Sequence, residues 1–334
     1  MTPDTRQRRI TSADVAREAG LSRATVSYVL NDTPGQKIPE STRARVREVA
    51  ERLGYAPSAA ARALRTGRSD VVLALLPDWP VGATVGAFLA HLSGSLAEAG
   101  LTLLAHPRGD TGRPVTAVWK AITPAAVVTF EDLGDAEAAA MRAAGVELTV
   151  LLLGGRRRRR RELTIPEQRT GRVQAEHLAA AGHRRIGYAL PADERVTMFS
   201  EPRLDGVRLA CADLGLDEPD ARPVPLDPAA AEAAVAAWRA AGVTAVCAYN
   251  DEVGLAVLAG LRRLGLAAPA DLAVVGVDDI PAAALADPPL TTVVLDQRAL
   301  AAHLAASITA SLAGRTAPRR PGSDIVRLVS RASG

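Results

Sequence analysis

In the stretch ITSADVAREAGLSRATVSYVLN, residues 10–31, an arginine, two hydroxyl side chains and an aromatic ring fall close together: Arg23, Thr25, Ser27 and Tyr28, with Ala24 among them. Such side chains suit the recognition of a nucleic acid, with base edges met by some and phosphate oxygens by others. The elements that must hold them are legible. Thr11 can cap a first helix, with Asp14 three positions on as its reciprocal partner. Val15, Ala16 and Ala19 then share one face, Gly20 permits a tight turn, and Ser22 caps a second helix whose Val26, Val29 and Leu30 point inward. Small residues at a close crossing, a glycine turn and a second helix with its first turn facing outward describe a helix-turn-helix. In such units the start of the second helix enters the major groove. Arg23, Ala24 and Tyr28 are the outward side chains best placed to meet base edges, and Thr25 and Ser27 to meet phosphates. Thr11, Ser22 and Asn31, at the helix ends, complete the expected DNA-binding set.

Two amphipathic helices can also pack simply as part of a bundle, and charge argues against that reading. Residues 1–68 hold 13 Lys+Arg against 7 Asp+Glu, whereas the remaining residues hold 27 against 30. With STRARVREVAERLGY (41–55) as a third helix, the first segment is a basic head on an acidic body, the electrostatic footprint of a DNA binder. The six consecutive arginines Arg156–Arg161 in LLLGGRRRRRREL repel one another and cannot be buried unpaired. They are read as a solvated loop of the body, with contact to an acidic neighbour or an anionic ligand as the alternative.

Enzyme chemistry has little footing. The chain contains no GxSxG, no P-loop, no HExxH and no GxGxxG opening a helix. His183, in GHRRI, reads as structural, and no catalytic carboxylate pair can be named. The two cysteines, Cys211 and Cys247, lack the spacing of a metal site or a disulfide framework, so neither metal nor cofactor is expected. The N-terminus lacks the roughly 7–15-residue apolar core of a signal peptide. No apolar run approaches the ~18 residues needed to span a bilayer. A cytoplasmic location is expected.

From Asp70 onward, apolar runs alternate with alanine-rich helical stretches. Strands are expected at 71–77, 101–105, 126–130, 146–153, 185–190, 245–249 and 272–277, and helices at 84–99, 135–144, 169–181, 203–214, 228–241 and 252–264. Six of these helices end at a glycine: Gly100, Gly145, Gly182, Gly215, Gly242 and Gly265. This alternation implies parallel sheets covered on both faces. Its length, and its interruption near the arginine run, imply two lobes.

The chain resembles bacterial transcription regulators of the LacI/GalR family. The resemblance is carried by DVAREAGLSRATVSYVLN, IPESTRARVREVAERLGYAPSAAARALRTGRSDVV, HLAAAGHRRIGY, RLDGVRLA, AYNDEVGLAVL, VVGVDDIPAAALADPPLTTV and the terminal LVSRAS, which together span nearly the whole chain. It implies an all-α helix-turn-helix DNA-binding head on an α/β periplasmic-binding-protein-like body of two doubly wound parallel-sheet lobes. The head would occupy residues 1–56 and a hinge helix or linker 57–69. The body would occupy 70–334, with lobe 1 at about 70–163 and 292–322 and lobe 2 at about 164–291 and 323–334. Ala61 and Leu64 match the hinge helix, whose leucine wedges into the minor groove. Ser58 stands where the family usually has Asn, and the loop NDTPGQK (31–37) is slightly long.

Ligands of doubly wound sheets sit beyond the carboxyl ends of strands. Arg203, Asn250 and Asp278 match the family's polar ligand contacts, and an arginine with a carboxylate can pair with vicinal hydroxyls of a sugar or polyol. In the first lobe Asp78, Trp79, His106 and Phe130 follow strands, and Trp79 or Phe130 would supply a ring for stacking on a sugar face. Glu167-Gln168 replaces the family's Asp-Asn pair after the crossover. The resemblance further implies a repressor that binds a pseudo-palindromic operator as a homodimer, under control of a small carbohydrate effector.

Overall fold

The computed structural model describes residues 10–33, 35–55, 69–107, 114–130, 133–152, 162–319 and 321–334. It divides into two compact units that meet between Ser69 and Asp70.

The head comprises α1 (Ser12–Ala19), α2 (Arg23–Leu30) and α3 (Glu40–Arg52). Thr11 caps α1 reciprocally. Its Oγ1 accepts from the Asp14 N–H, while Asp14 Oδ2 accepts from the Thr11 N–H at 2.9 Å. Gly20 takes φ 64 after α1, a left-handed conformation glycine adopts without steric cost. Ser22 caps α2, its Oγ accepting from the Thr25 N–H at 3.0 Å. Val15, Ala19, Val26 and Val46 are fully withdrawn from solvent and form the head core with Ala16, Val29, Val49 and Ala50; Leu30 packs at its edge, half-buried. The apolar stripes that defined the helices are thus the faces that meet.

In the body, a five-stranded parallel sheet of order β2-β1-β3-β4-β5 is built from β1 (Val71–Leu76), β2 (Thr102–Pro107), β3 (Ala126–Thr129), β4 (Glu147–Leu152) and β5 (Glu162–Thr164). Between its strands run α4 (Ala83–Glu98), α5 (Val115–Ile122) and α6 (Asp135–Ala143). Alternate residues of β1 serve both faces. Leu73 and Leu75 pack with Val118, Trp119 and Met141, whereas Val72, Ala74 and Leu76 pack with Leu92 and Leu96 of α4. This is why the strand reads as an unbroken apolar run.

The second sheet has order β11-β10-β9-β8-β6-β7: β6 (Ile186–Pro191), β7 (Asp220–Val224), β8 (Ala245–Ala248), β9 (Ala273–Val277), β10 (Thr291–Leu295) and β11 (Val326–Val329). It is parallel except for the β10–β11 pair. Its helices are α7 (Glu167–Ala180), α8 (Thr197–Asp213), α9 (Pro228–Ala240), α10 (Asp251–Arg263) and α11 (Pro281–Leu285). The six helix-terminal glycines all have positive φ.

Two sequence expectations are corrected. Residues 292–322 do not all belong to the first lobe: β10 pairs with β9 and β11, with Val293 fully buried, so the chain leaves the second sheet only after Leu295. What returns to the first lobe is α12 (Gln297–Leu312), which packs against α4. The helix expected from 203 begins at Thr197, with Pro202 inside it.

One packing detail positions the site. Helices α7 and α8 cross so closely that a Cβ on Gly171 would lie 1.9 Å from the Arg203 carbonyl oxygen, and one on Gly206 would lie 2.0 Å from that of Gln168. Glycine at both positions lets the two backbones touch, which brings Glu167 and Arg203 together.

Candidate functional site

On the head, the outward face of α2 carries the sequence-selected residues. Arg23, Ala24, Ser27 and Tyr28 are exposed and Thr25 is half-buried. Among the described residues Arg23 has no ion-pair partner, which leaves its donors available to a ligand. The hydroxyls are partly committed locally. Ser22 Oγ and Thr25 Oγ1 are 2.9 Å apart, and Thr11 Oγ1 donates to Asp14 Oδ2 at 2.6 Å. Asn31 Nδ2 donates to the Ser27 carbonyl at 2.7 Å. Thr11, Ser22 and Asn31 therefore fix helix ends while remaining at the surface. Ala61, Leu64, Ser58 and the run Arg156–Arg161 lie outside the described residues.

The body holds a cleft of about 430 Å³ lined from both lobes, a size suited to a small metabolite. The first lobe contributes Trp79 and the start of α4; the second contributes Arg203, Tyr249, Asn250 and Asp278. Arg203 is almost completely buried on α8. Its Nε donates to Glu167 Oε2 at 2.5 Å and its Nη1 to the Tyr249 carbonyl at 2.8 Å, while Nη2 lies 3.7 Å from Asp278 Oδ1. Its guanidinium also sits 5.0 Å from the centre of the Tyr249 ring. Burial opposes the charge of Arg203, but Glu167 and then Asp278 outweigh that and raise its pKa. Burial likewise pushes the Asp278 carboxyl above the ordinary carboxylate range, with Arg203 acting against it.

Asn250 ends β8 and caps α10, its Oδ1 accepting from the Val253 N–H at 3.0 Å. Asp278 and Asp279 follow β9 with φ of 104 and 53, backbone that non-glycine residues rarely adopt. The turn is held from several sides. The Asp278 N–H donates to the Val293 carbonyl at 2.8 Å, Arg331 Nη2 donates to Asp279 Oδ1 at 2.5 Å, and the Ile280 N–H donates to Asp251 Oδ2 at 2.9 Å. Asp251 has no exposed surface; its other oxygen accepts from Thr292 Oγ1 at 2.6 Å. Burial pushes its carboxyl up to about 7.

Several contacts join the lobes at the cleft. Trp79 Nε1 lies 3.0 Å from Met198 Sδ, and the Trp79 ring meets Phe199 edge to face at 4.8 Å. Thr84 hydrogen-bonds Asp278, and Asp78 lies 3.8 Å from Arg195.

Trp79, Arg203, Asn250 and Asp278 thus converge on one cleft; Asp78, Phe130 and His106 are not part of its lining. Asp78 is turned to solvent toward Arg195. Phe130 is buried behind Trp79, with ring centres 4.7 Å apart, because it continues the inward alternation of Ala126 and Val128. Glu167, Thr84, Tyr249 and Asp251 are the additions. Their roles depend on helix crossings and turns between distant segments, although Tyr249 and Asp251 flank the selected Asn250.

Residues 11–58 match the family described as bacterial regulatory proteins, lacI family, and residues 175–334 match the periplasmic binding protein-like domain. The HTH-type transcriptional regulator MalR of Streptomyces coelicolor is 30% identical over 341 residues, covering 96% of this chain and 95% of the relative. The chain belongs to the LacI family of bacterial transcriptional regulators. CelR of Thermobifida fusca is 30% identical over 338 residues, covering 93% of this chain and 94% of its own. Among solved structures, the lac repressor dimer bound to operator and the anti-inducer ONPF aligns with a TM-score of 0.77 at 22% identity, over 98% of this chain and 99% of that one. The complex of CelR with cellobiose aligns with a TM-score of 0.64 at 26% identity, over 98% of this chain and all of that one.

This LacI-family regulator is therefore a DNA-binding protein with a helix-turn-helix head and a ligand-binding body, not an enzyme. Among the described residues, no helix is long and apolar enough to cross a membrane.

Proposed function

We propose that the chain is a cytoplasmic repressor that binds a pseudo-palindromic operator as a homodimer and changes its operator affinity when a carbohydrate or related polyol enters the interlobe cleft. The observation that carries this reading is the pairing of two surfaces in one chain: an α2 face with an exposed Arg23 that has no ion-pair partner among the described residues, and a cleft in which Arg203, Asn250 and Asp278 converge. In the DNA complex Arg23, Ala24 and Tyr28 meet base edges, and Thr25 and Ser27 meet phosphates. Thr11, Ser22 and Asn31 fix the helix ends at the backbone. Ala61 and Leu64 form the hinge that enters the minor groove, Leu64 acting as the wedge. Two-fold symmetry follows from the half-site that a single head can read. In the cleft, Arg203 and Asp278 bind hydroxyls by charge-assisted hydrogen bonds, Asn250 adds its amide and Trp79 supplies a ring. The relation to CelR, solved with cellobiose, supports a sugar as ligand.

The test is selection of DNA from a random pool by the full-length protein, followed by footprinting. A protected sequence with two inverted half-sites is expected. Enrichment of an asymmetric site, or of none, would overturn the dimeric operator reading.

A further inference from the structure

We infer that Gln174 is a positioning residue of the ligand site: its buried amide sets the separation of the two strand ends that present Asn250 and Asp278. The inference rests on the reading of the cleft as the effector site. It adds to that site a residue that is not part of the cleft lining.

Asn250 follows β8 and Asp278 follows β9, and the register between these strands ends at the pair of Cys247 with Val275. One residue further along, at Ala248 and Gly276, no ladder pair fixes their spacing. Gln174 of α7 takes over there. Its Nε2 donates to the Ala248 carbonyl at 2.8 Å, to the Val275 carbonyl at 2.9 Å and to the Gly276 carbonyl at 3.2 Å. Two hydrogens thus serve three acceptors, and because the acceptors belong to both strands the amide bridges them. The orientation is fixed, since turning the amide over would set its oxygen against three carbonyls.

The side chain is fully withdrawn from solvent, and its Oε1 has no hydrogen-bond partner among the described residues. A buried carbonyl without a donor costs stability, so an aliphatic chain would hold α7 on the sheet at less expense. What Gln174 supplies instead is the bridge. Glu167, Gly171 and Gln174 lie on one buried stripe of α7, at positions i, i+4 and i+7. Glu167 holds Arg203 and Gly171 admits the α8 backbone. One helix face therefore locates Arg203, Asn250 and Asp278 relative to one another.

The experiment is hydrogen exchange read by mass spectrometry on the full-length protein, comparing wild type with Gln174→Met and Gln174→Asn. Gln174→Asn keeps the amide but is one carbon too short to reach both strands, and it carries the test if Gln174→Met does not fold. Ala175→Gly, at the next and equally buried position of α7, controls for a purely structural loss. In the Gln174 variants, segments 248–254 and 275–281 are expected to exchange about tenfold or more faster, with 186–191 and 220–224 of the same sheet unchanged. Ala175→Gly should not single out those two segments. Unchanged exchange there in both Gln174 variants would overturn the inference and mean that the tie between Asp251 and the Ile280 N–H holds the turn alone. The same local pattern in Ala175→Gly would overturn it equally. Any of glucose, galactose, maltose and cellobiose that binds the wild type in calorimetry is expected to bind Gln174→Met about tenfold or more weaker, and equal affinities would also overturn it. Failure of all four to bind the wild type counts against the carbohydrate reading alone, because the exchange measurement needs no ligand.

Discussion

Arg203 and Glu167 form an ion pair at 2.5 Å in which the two side chains retain only 7% and 2% of their exposure. Removing one member of a buried pair leaves the other as an uncompensated charge, which costs about 3–5 kcal/mol. Glu167→Gln is therefore expected to lower unfolding stability by about 3 kcal/mol in urea titrations. A loss below about 1 kcal/mol would mean that Tyr249 and Asp278 suffice to hold the guanidinium.

The close crossing of α7 and α8 gives a sharper contrast. Gly171→Ala places a methyl 1.9 Å from a backbone oxygen that cannot rotate away, so the variant should be severely destabilised or fail to fold. Gly94→Ala, on an exposed turn of α4 with nothing within 4 Å of the new carbon, should be neutral or stabilising by up to about 1 kcal/mol. Melting temperatures of the two variants check this directly, and similar values would refute the assigned crossing.

Much of this architecture was legible because the residues repeat with the period of the element they build. Val15, Ala16, Ala19, Val26 and Val29 are the buried stripe of the head, and β1 reads as the run it is. The strands that escaped notice carry weak patterns. β7 is Asp-Ala-Arg-Pro-Val, in which a proline and two charged residues hide a pairing with β6, and β5 has only three residues. Residues 292–295, expected at the start of the returning first-lobe segment, lie instead in β10 of the second sheet, because so short a run does not encode which sheet receives it; its partners come from β9 and from the distant β11. The site divides along the same line. Residues after strands, such as Asn250 and Asp278, could be selected from position alone. The exclusion of Phe130 depended on which way one side chain turned, and the role of Glu167 on two glycines in helices remote in sequence.

Asp251 makes stability depend on pH. Its folded-state pKa of about 7 stands above the ordinary value of 3.8, so the folded protein holds this proton more tightly than the unfolded chain. The contribution is fully present below about pH 3.8 and is lost as pH rises through about 7. Relative to Asp251→Asn, the wild type should lose stability between pH 4 and 7, by an amount on the order of a few kcal/mol. Parallel stability curves for the two proteins across this interval would contradict the assignment.

Arg23→Ala should relax base preference at one position of each half-site, at a cost on the order of 1–3 kcal/mol per lost contact, without changing the melting temperature of a side chain already exposed. Competition titrations with operator variants decide the matter. Unchanged discrimination among them would remove Arg23 from the reading face.

The central claim is that occupancy of the cleft governs DNA binding. It is tested most directly by fluorescence anisotropy of a labelled operator titrated with the full-length protein, with and without a saturating ligand shown by calorimetry to require Asp278. The account predicts a change in operator affinity of about 5- to 150-fold, the range of ordinary allosteric coupling. An operator affinity identical in the two titrations, with the cleft demonstrably filled, would contradict it.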